Sequence, residues 1–171
     1  MKKGSLGLLA AMFLVAGCDY DVPLAEKQDI TVDPAVLGLW EQLPEKTETA
    51  STPDQILVLK YTDTEYLIHY PTGKNGMYFR GYPVKIDGVT GIQVQLIGTS
   101  DENADSKDRK LTLVSYRLAD GGLEIRTLNP EVVDKNLKDT ASLREALIKN
   151  KDNKDLFREP GKFRRIAKKT T

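Results

Sequence analysis

From Gly38 to Pro130 the chain runs as short segments in which apolar and polar residues alternate, each closed by turn residues. Alternation sends successive side chains to opposite faces, the period of a half-buried strand. Gly38 to Gln42 opens the series. Ile56 to Tyr61 and Tyr66 to Tyr70 flank the turn Thr62-Asp63-Thr64, and Met77 to Ile86 is entered through Pro71 to Gly76. Gly91 to Ile97 follows Asp87-Gly88, Leu111 to Leu118 follows a polar loop, and Leu123 to Leu128 follows Asp120-Gly121-Gly122. Several short strands with frequent turn signals predict an antiparallel sandwich or barrel.

The pattern changes after Pro130. Ser142-Leu143-Arg144-Glu145 has the spacing of a capping box, and Leu143, Leu147 and Ile148 form a narrow apolar stripe. These residues predict a helix from about Leu143 to Lys149. A turn at Leu156-Phe157 is placed to plug an edge or an end, and Phe163 to Ala167 reads as the last strand. The expected fold is all-β, about eight antiparallel strands with one helix before the last strand.

The N-terminus carries a different kind of signal. Lys2 and Lys3 precede an apolar run from Gly4 to Leu14, the charged and apolar regions of a secretory signal. The run is shorter than the roughly 20 residues needed to span a bilayer. Leu14-Val15-Ala16-Gly17-Cys18 then places small residues before the only cysteine. This segment resembles the processing site of bacterial lipoproteins. The resemblance implies cleavage before Cys18, a diacylglycerol on its sulfur and an acylated (palmitate-type) N-terminus. A plain signal peptide and an uncleaved anchor are the other readings of the same residues. Asp19 resembles the enterobacterial signal for inner-membrane retention. The expected organisation is a signal peptide at 1–17, a flexible tether at 18–34 and a single barrel domain at 35–171. The expected location is the cell envelope, periplasm-facing and lipid-anchored.

Removing the first 17 residues of 171 leaves about 154, enough for one domain with a real core. An exported chain meets oxidising conditions, but Cys18 is consumed by lipid, so stability must come from hydrophobic burial. The 25 basic and 25 acidic residues balance, and loss of Lys2 and Lys3 shifts the charge to about −2. No nucleic-acid partner is expected from such a balance.

Gly38-Leu39-Trp40 at the first strand and Arg164-Arg165 in the last resemble the lipocalin and calycin barrels. That resemblance implies an arginine packed over the tryptophan at the closed end, an arrangement worth about 0.5–2 kcal/mol. Arg165, which shares a strand face with Phe163, is the expected partner of Trp40. The alternative is an ordinary core tryptophan in another β fold. A second likeness covers nearly the whole chain. Cys18 to Leu24, the Gly-x-Trp start, Phe79-Arg80-Gly81-Tyr82 and the Leu156-Phe157 to Phe163-x-Arg165 ending resemble a group of small bacterial lipoproteins to which no activity is attached.

Candidate chemistry is sparse. His69, the single histidine, has no triad context and reads as a strand residue near the tyrosines. One histidine and no free cysteine give no zinc site, and no metal or other cofactor is expected. Asp101-Glu102-Asn103-Ala104-Asp105 begins like a calcium loop, but Ser106 and Thr112 occupy its glycine and glutamate positions, so it reads as a solvated hairpin loop. Gly73-Lys74 lacks the context of a phosphate loop. Lys168-Lys169 reads as a solvated basic terminus. Tyr78, Arg80 and Tyr82 share one strand face, and Tyr66 and Tyr70 share a face of the neighbouring strand. Pointing inward, the five would line a pocket for an amphipathic anion. Pointing outward, they would make a cross-strand ladder. The functional expectation is a non-catalytic, membrane-anchored envelope interaction or scaffold domain with a possible envelope protein partner. The alternative is lipocalin-like binding of a small amphipathic or apolar ligand.

Overall fold

The computed structural model describes residues 20–44, 52–73, 76–100 and 111–167. The signal residues, Cys18, Asp19, the loop at 101–105 and Lys168-Lys169 lie outside the described residues.

Eight strands form a closed antiparallel barrel in chain order. They are β1 (Gly38–Gln42), β2 (Gln55–Lys60), β3 (Tyr66–Tyr70), β4 (Met77–Ile86), β5 (Val89–Thr99), β6 (Leu111–Ala119), β7 (Gly122–Thr127) and β8 (Gly161–Arg165). The single α-helix among the described residues, α1 (Thr140–Lys149), precedes β8. The fold is thus all-β, a lipocalin-like barrel with a late helix. Closure comes from β1 and β8, which pair Trp40 with Arg165 and Gln42 with Phe163. Strand β8 starts and ends two residues earlier than the alternation suggested, because Gly161 already pairs with Ile125 of β7.

The helix is capped differently from the sequence expectation. Asp139, not Ser142, is the N-cap, and its carboxylate accepts from the Ser142 amide and hydroxyl, both at 2.8 Å. Ser142 sits inside the first turn, so the helix begins at Thr140. Aspartate competes well for this position because its oxygens accept from free amides of the first turn. The stripe of Leu143 and Leu147 is buried, as helical spacing requires.

Cross-strand partners face the same side, so register divides the apolar residues into two cores. The first fills the barrel, with Trp40, Ile56, Val58, Tyr66, Ile68, Tyr70, Phe79 and Phe163 among its members. The second lies outside the wall of β4–β6. There Tyr82, Val84, Ile86, Leu111 and Leu113 meet Leu143 and Leu147 of α1, together with Leu128, Val133 and Leu156.

The expectation of a flexible tether up to residue 34 does not match the structure. Tyr20 and Leu24 are buried in this outer core. Tyr20 bridges to Leu111 through two backbone hydrogen bonds of 3.0 and 2.9 Å, and its hydroxyl donates to the Val133 carbonyl at 2.7 Å. Val32 and Val36 join the interior core instead, Val36 within a short 3-10 helix (Pro34–Val36). Two aromatic and aliphatic anchors spaced by four residues suffice to dock the segment, although the charged residues between them make it read as linker.

Candidate functional site

The end of the barrel near the 3-10 helix is built around Trp40. Its indole nitrogen donates to the Val36 carbonyl at 2.9 Å, and the Arg165 guanidinium lies 4.2 Å from the ring centroid. The same guanidinium donates to the carbonyls of Leu37 at 2.8 Å and Ala35 at 2.5 Å. Gly38 makes this approach possible. Its φ is +132°, and a Cβ there would lie 3.0 Å from Arg165 Nη1. Arg164 points to the other face and pairs with Glu41. Asp33 completes the plug: its amide donates to the Tyr66 hydroxyl at 2.6 Å, and its carboxylate accepts from the Tyr116 hydroxyl at 3.1 Å. Every polar group here is spent on holding the plug, which makes the Trp40–Arg165 pair a structural seal.

The five residues expected to line an anion pocket do not come together. Tyr66 and Tyr70 point into the barrel and are fully buried. Tyr70 donates to Gln42 Oε1 at 3.0 Å and meets Phe163 edge-on at 6.3 Å. Tyr78, Arg80 and Tyr82 face outward. Tyr78 stacks on His69, with ring centroids 4.3 Å apart. Arg80 is held by the buried carboxylate of Glu65, Nε at 2.9 Å and Nη2 at 2.6 Å. Its charge is therefore matched within the chain and not presented to an anion. Tyr82 belongs to the outer core. The reason is register: Phe79 and Gly81 pair across from Ile68 and Tyr66 and take the inward positions of β4.

Burial pushes the phenols of Tyr66, Tyr70, Tyr82 and Tyr116 upward, so they stay protonated at neutral pH. Tyr82 donates to the Ala25 carbonyl at 2.9 Å and accepts from the Gln93 side-chain amide. Gln93 Oε1 in turn accepts from the Leu24 amide at 2.5 Å and the Ala25 amide at 3.2 Å. Sequence reasoning passed over Gln93, a buried glutamine within a strand. Its signal is a polar residue at a position where the outward face of β5 is otherwise covered.

The interior holds a cavity of only about 40 Å³, lined by Val36, Val58, Ile68, Ile92, Val114 and other apolar side chains, with Tyr116. Gly81 shows how close the packing is: a Cβ there would lie 2.9 Å from Ile92 Cγ2. An eight-stranded barrel has an interior that side chains can just fill. A pocket for a drug-sized ligand takes roughly 300–1,000 Å³. A larger concavity, about 910 Å³ and open to solvent, lies outside between residues 25–30, Pro83–Lys85 and α1. Its charges are mixed in sign, with Lys27, Lys85 and Arg144 against Glu26, Asp29, Asp139 and Glu145.

His69 Nε2 is buried without a hydrogen-bond partner, and a Cβ on Gly76 would collide with it. Tyr78 covers the ring, and no nucleophile is positioned on it by any described contact. Among the described residues no three His, Cys, Asp or Glu side chains gather as a metal site, and no helix is long and apolar enough to cross a membrane. In comparisons with known proteins, no family model, no curated protein and no solved structure matches the chain.

Proposed function

We propose that this chain is a bacterial envelope lipoprotein, held to the membrane through Cys18, whose barrel is a non-catalytic interaction or scaffold domain. The observation that carries the reading is the barrel interior. It is packed with side chains down to a cavity of about 40 Å³, and its hydroxyls are turned to Asp33 and Gln42. A filled barrel leaves the outer surface as the place where the protein acts. The lysine-led apolar run and the small residues before Cys18 support the anchor, and Asp19 supports the inner membrane.

Two measurements test this. Native mass spectrometry of the protein purified from its own host should give the polypeptide plus its acyl groups and nothing else. A retained small molecule, displaced when Val114→Phe fills the interior, would replace the scaffold reading with lipocalin-like ligand binding. Cys18→Ser should abolish the acyl mass and release the domain from membranes. Membrane attachment at unchanged mass would remove the anchor from the reading.

A further inference from the structure

The outward face running from the second half of β6 across β7 to β8 carries a surplus of positive charge. Cross-strand pairing sets Arg117, Arg126, Lys162 and Arg164 side by side on it, with Glu124 as the one acid. Arg117 donates to Glu124 Oε2 from Nε at 3.0 Å and from Nη2 at 2.8 Å. Lys162 Nζ lies 4.0 Å from the other oxygen of the same carboxylate. The hydrogen bonds from Arg117, with the charges of Arg117, Lys162 and Arg126, hold the Glu124 carboxyl below the usual carboxylate range. Arg164 pairs with Glu41 of β1. Arg126 stands opposite Ser115 and has no ion-pair partner among the described residues. Arg165, at the end of β8, spends its donors on the Leu37 and Ala35 carbonyls, so no acid offsets its charge. Five cations against two acids leave a surplus of three.

The balance is different elsewhere. Near the turn between β2 and β3, Lys60 meets Asp63 and Arg80 meets Glu65, one to one. The open concavity beside α1 holds more acids than bases. Like charges on neighbouring strands repel, so a cation surplus on one sheet face costs stability until an anion offsets it. The other outward positions of this face are Ser115, Ala119 and Gly122, none of them a large apolar side chain. It therefore lacks the apolar centre of a protein interface. A sheet face is also no cleft for a small anion. Anionic lipid headgroups need neither an apolar centre nor a cleft, because they meet basic side chains as a diffuse negative surface.

We infer that the β6–β8 face lies against the anionic headgroups of the bilayer and sets the orientation of the anchored barrel. This rests on the anchored-scaffold reading above. Each basic residue near an anionic surface changes its occupancy about fivefold. Three surplus charges are too few to hold a protein on a membrane unaided. Once a lipid keeps the domain within a Debye length of the headgroups, they favour this face over the opposite one by about a hundredfold.

The test uses the lipidated chain purified from its host, with a fluorophore on Ser115→Cys or on Leu67→Cys. Ser115 lies on the cationic face, and Leu67 is outward on β3, four strands from β7 in either direction. Each protein is placed in vesicles of phosphatidylcholine, with or without phosphatidylglycerol, that contain a lipid with a nitroxide on its headgroup. In the anionic vesicles the nitroxide should quench the Ser115 site and spare the Leu67 site. The difference should fade in phosphatidylcholine alone and in about 1 M salt, where the Debye length is about 3 Å. It should fade also when Arg126→Glu and Lys162→Glu are combined, with the melting temperature unchanged. Equal quenching of the two sites in anionic vesicles, or stronger quenching at Leu67, would overturn the proposal. So would a Ser115 preference that persists without phosphatidylglycerol or in high salt. A chain recovered without acyl mass removes the anchored reading itself, whereas an acylated chain with equal quenching removes only the membrane-facing role of β6–β8.

Discussion

The two outer walls of this barrel are made of the same alternating strands and end in opposite conditions. Over β4–β6 the outward residues Tyr82, Val84, Ile86 and Leu113 are buried beneath α1 and the N-terminal segment. Over β1–β3 the outward Leu59 is in solvent, as is Tyr61 just past the end of β2. The strands alone do not determine which wall is sealed. The seal comes from segments outside the sheet, and it depends on a few polar joints: Gln93 on the Leu24 and Ala25 amides, Tyr82 on the Ala25 carbonyl, and Arg144 on the Leu24 carbonyl at 3.3 Å. One wall spends its apolar surface on stability, and the other keeps it available.

The largest expected effect is on the sealed wall. Leu147 is fully buried between α1 and the sheet, and Leu147→Ala should cost about 2–5 kcal/mol in denaturant unfolding. The matching change on the open wall, Leu59→Ala, should stay within about 0.5 kcal/mol. Equal costs would erase the distinction between the walls. A smaller loss is expected for Gln93→Ala, which strands the Leu24 amide and the Tyr82 hydroxyl in a covered site. It should cost about 1–3 kcal/mol and expose residues 24–30 to proteolysis while the barrel stays folded.

The end seal is independent of both walls. Arg165→Ala should cost about 0.5–2 kcal/mol and red-shift the fluorescence of Trp40, the only tryptophan. The effect should add to that of Leu147→Ala, since the two sites share no partner.

The smallest effect is a pH dependence at the cap of the helix that covers the sealed wall. Hydrogen bonds from the Ser142 amide and hydroxyl hold the Asp139 carboxyl below the usual carboxylate range. A carboxyl whose folded pKa is depressed contributes stability above its unfolded pKa and loses it as pH falls through the folded value. The hydrogen-exchange protection of α1, relative to the intrinsic amide rate at each pH, should therefore fall as pH drops through that lowered range. Asp139→Asn, which keeps a capping oxygen, should flatten the response.

Much of the barrel was legible because period-two alternation is a local signal. Tyr66 to Tyr70 and Met77 to Ile86 are strands with the bounds their sequence implies. Which face points inward was not legible, because it depends on where eight strands close. On β4 the aromatic face Tyr78-Arg80-Tyr82 looks like a pocket lining, yet closure sends Phe79 and Gly81 inward. A register shift between Tyr78 and Phe79 adds a further break in the alternation. The N-terminal segment was misread for a related reason. Tyr20 and Leu24 are two anchors among Asp21, Glu26 and Lys27, and composition alone cannot distinguish two anchors from a linker. The helix was legible by its stripe, but Asp139 lies three residues ahead of the serine that carried the motif.

The most direct measurement of the central claim is thiol protection in the intact envelope. The only native cysteine is Cys18, which the proposed anchor would occupy, so a single substitution compared with the parent chain reports on the added thiol. Leu59→Cys should react slowly with a maleimide in cells and rapidly in the purified protein, whereas Ile148→Cys on the exposed face of α1 should react alike in both. That pattern would show the open wall covered in place by something absent from the purified chain. Equal reaction of Leu59→Cys in cells and in solution would contradict the account, leaving the β1–β3 wall bare where the protein works.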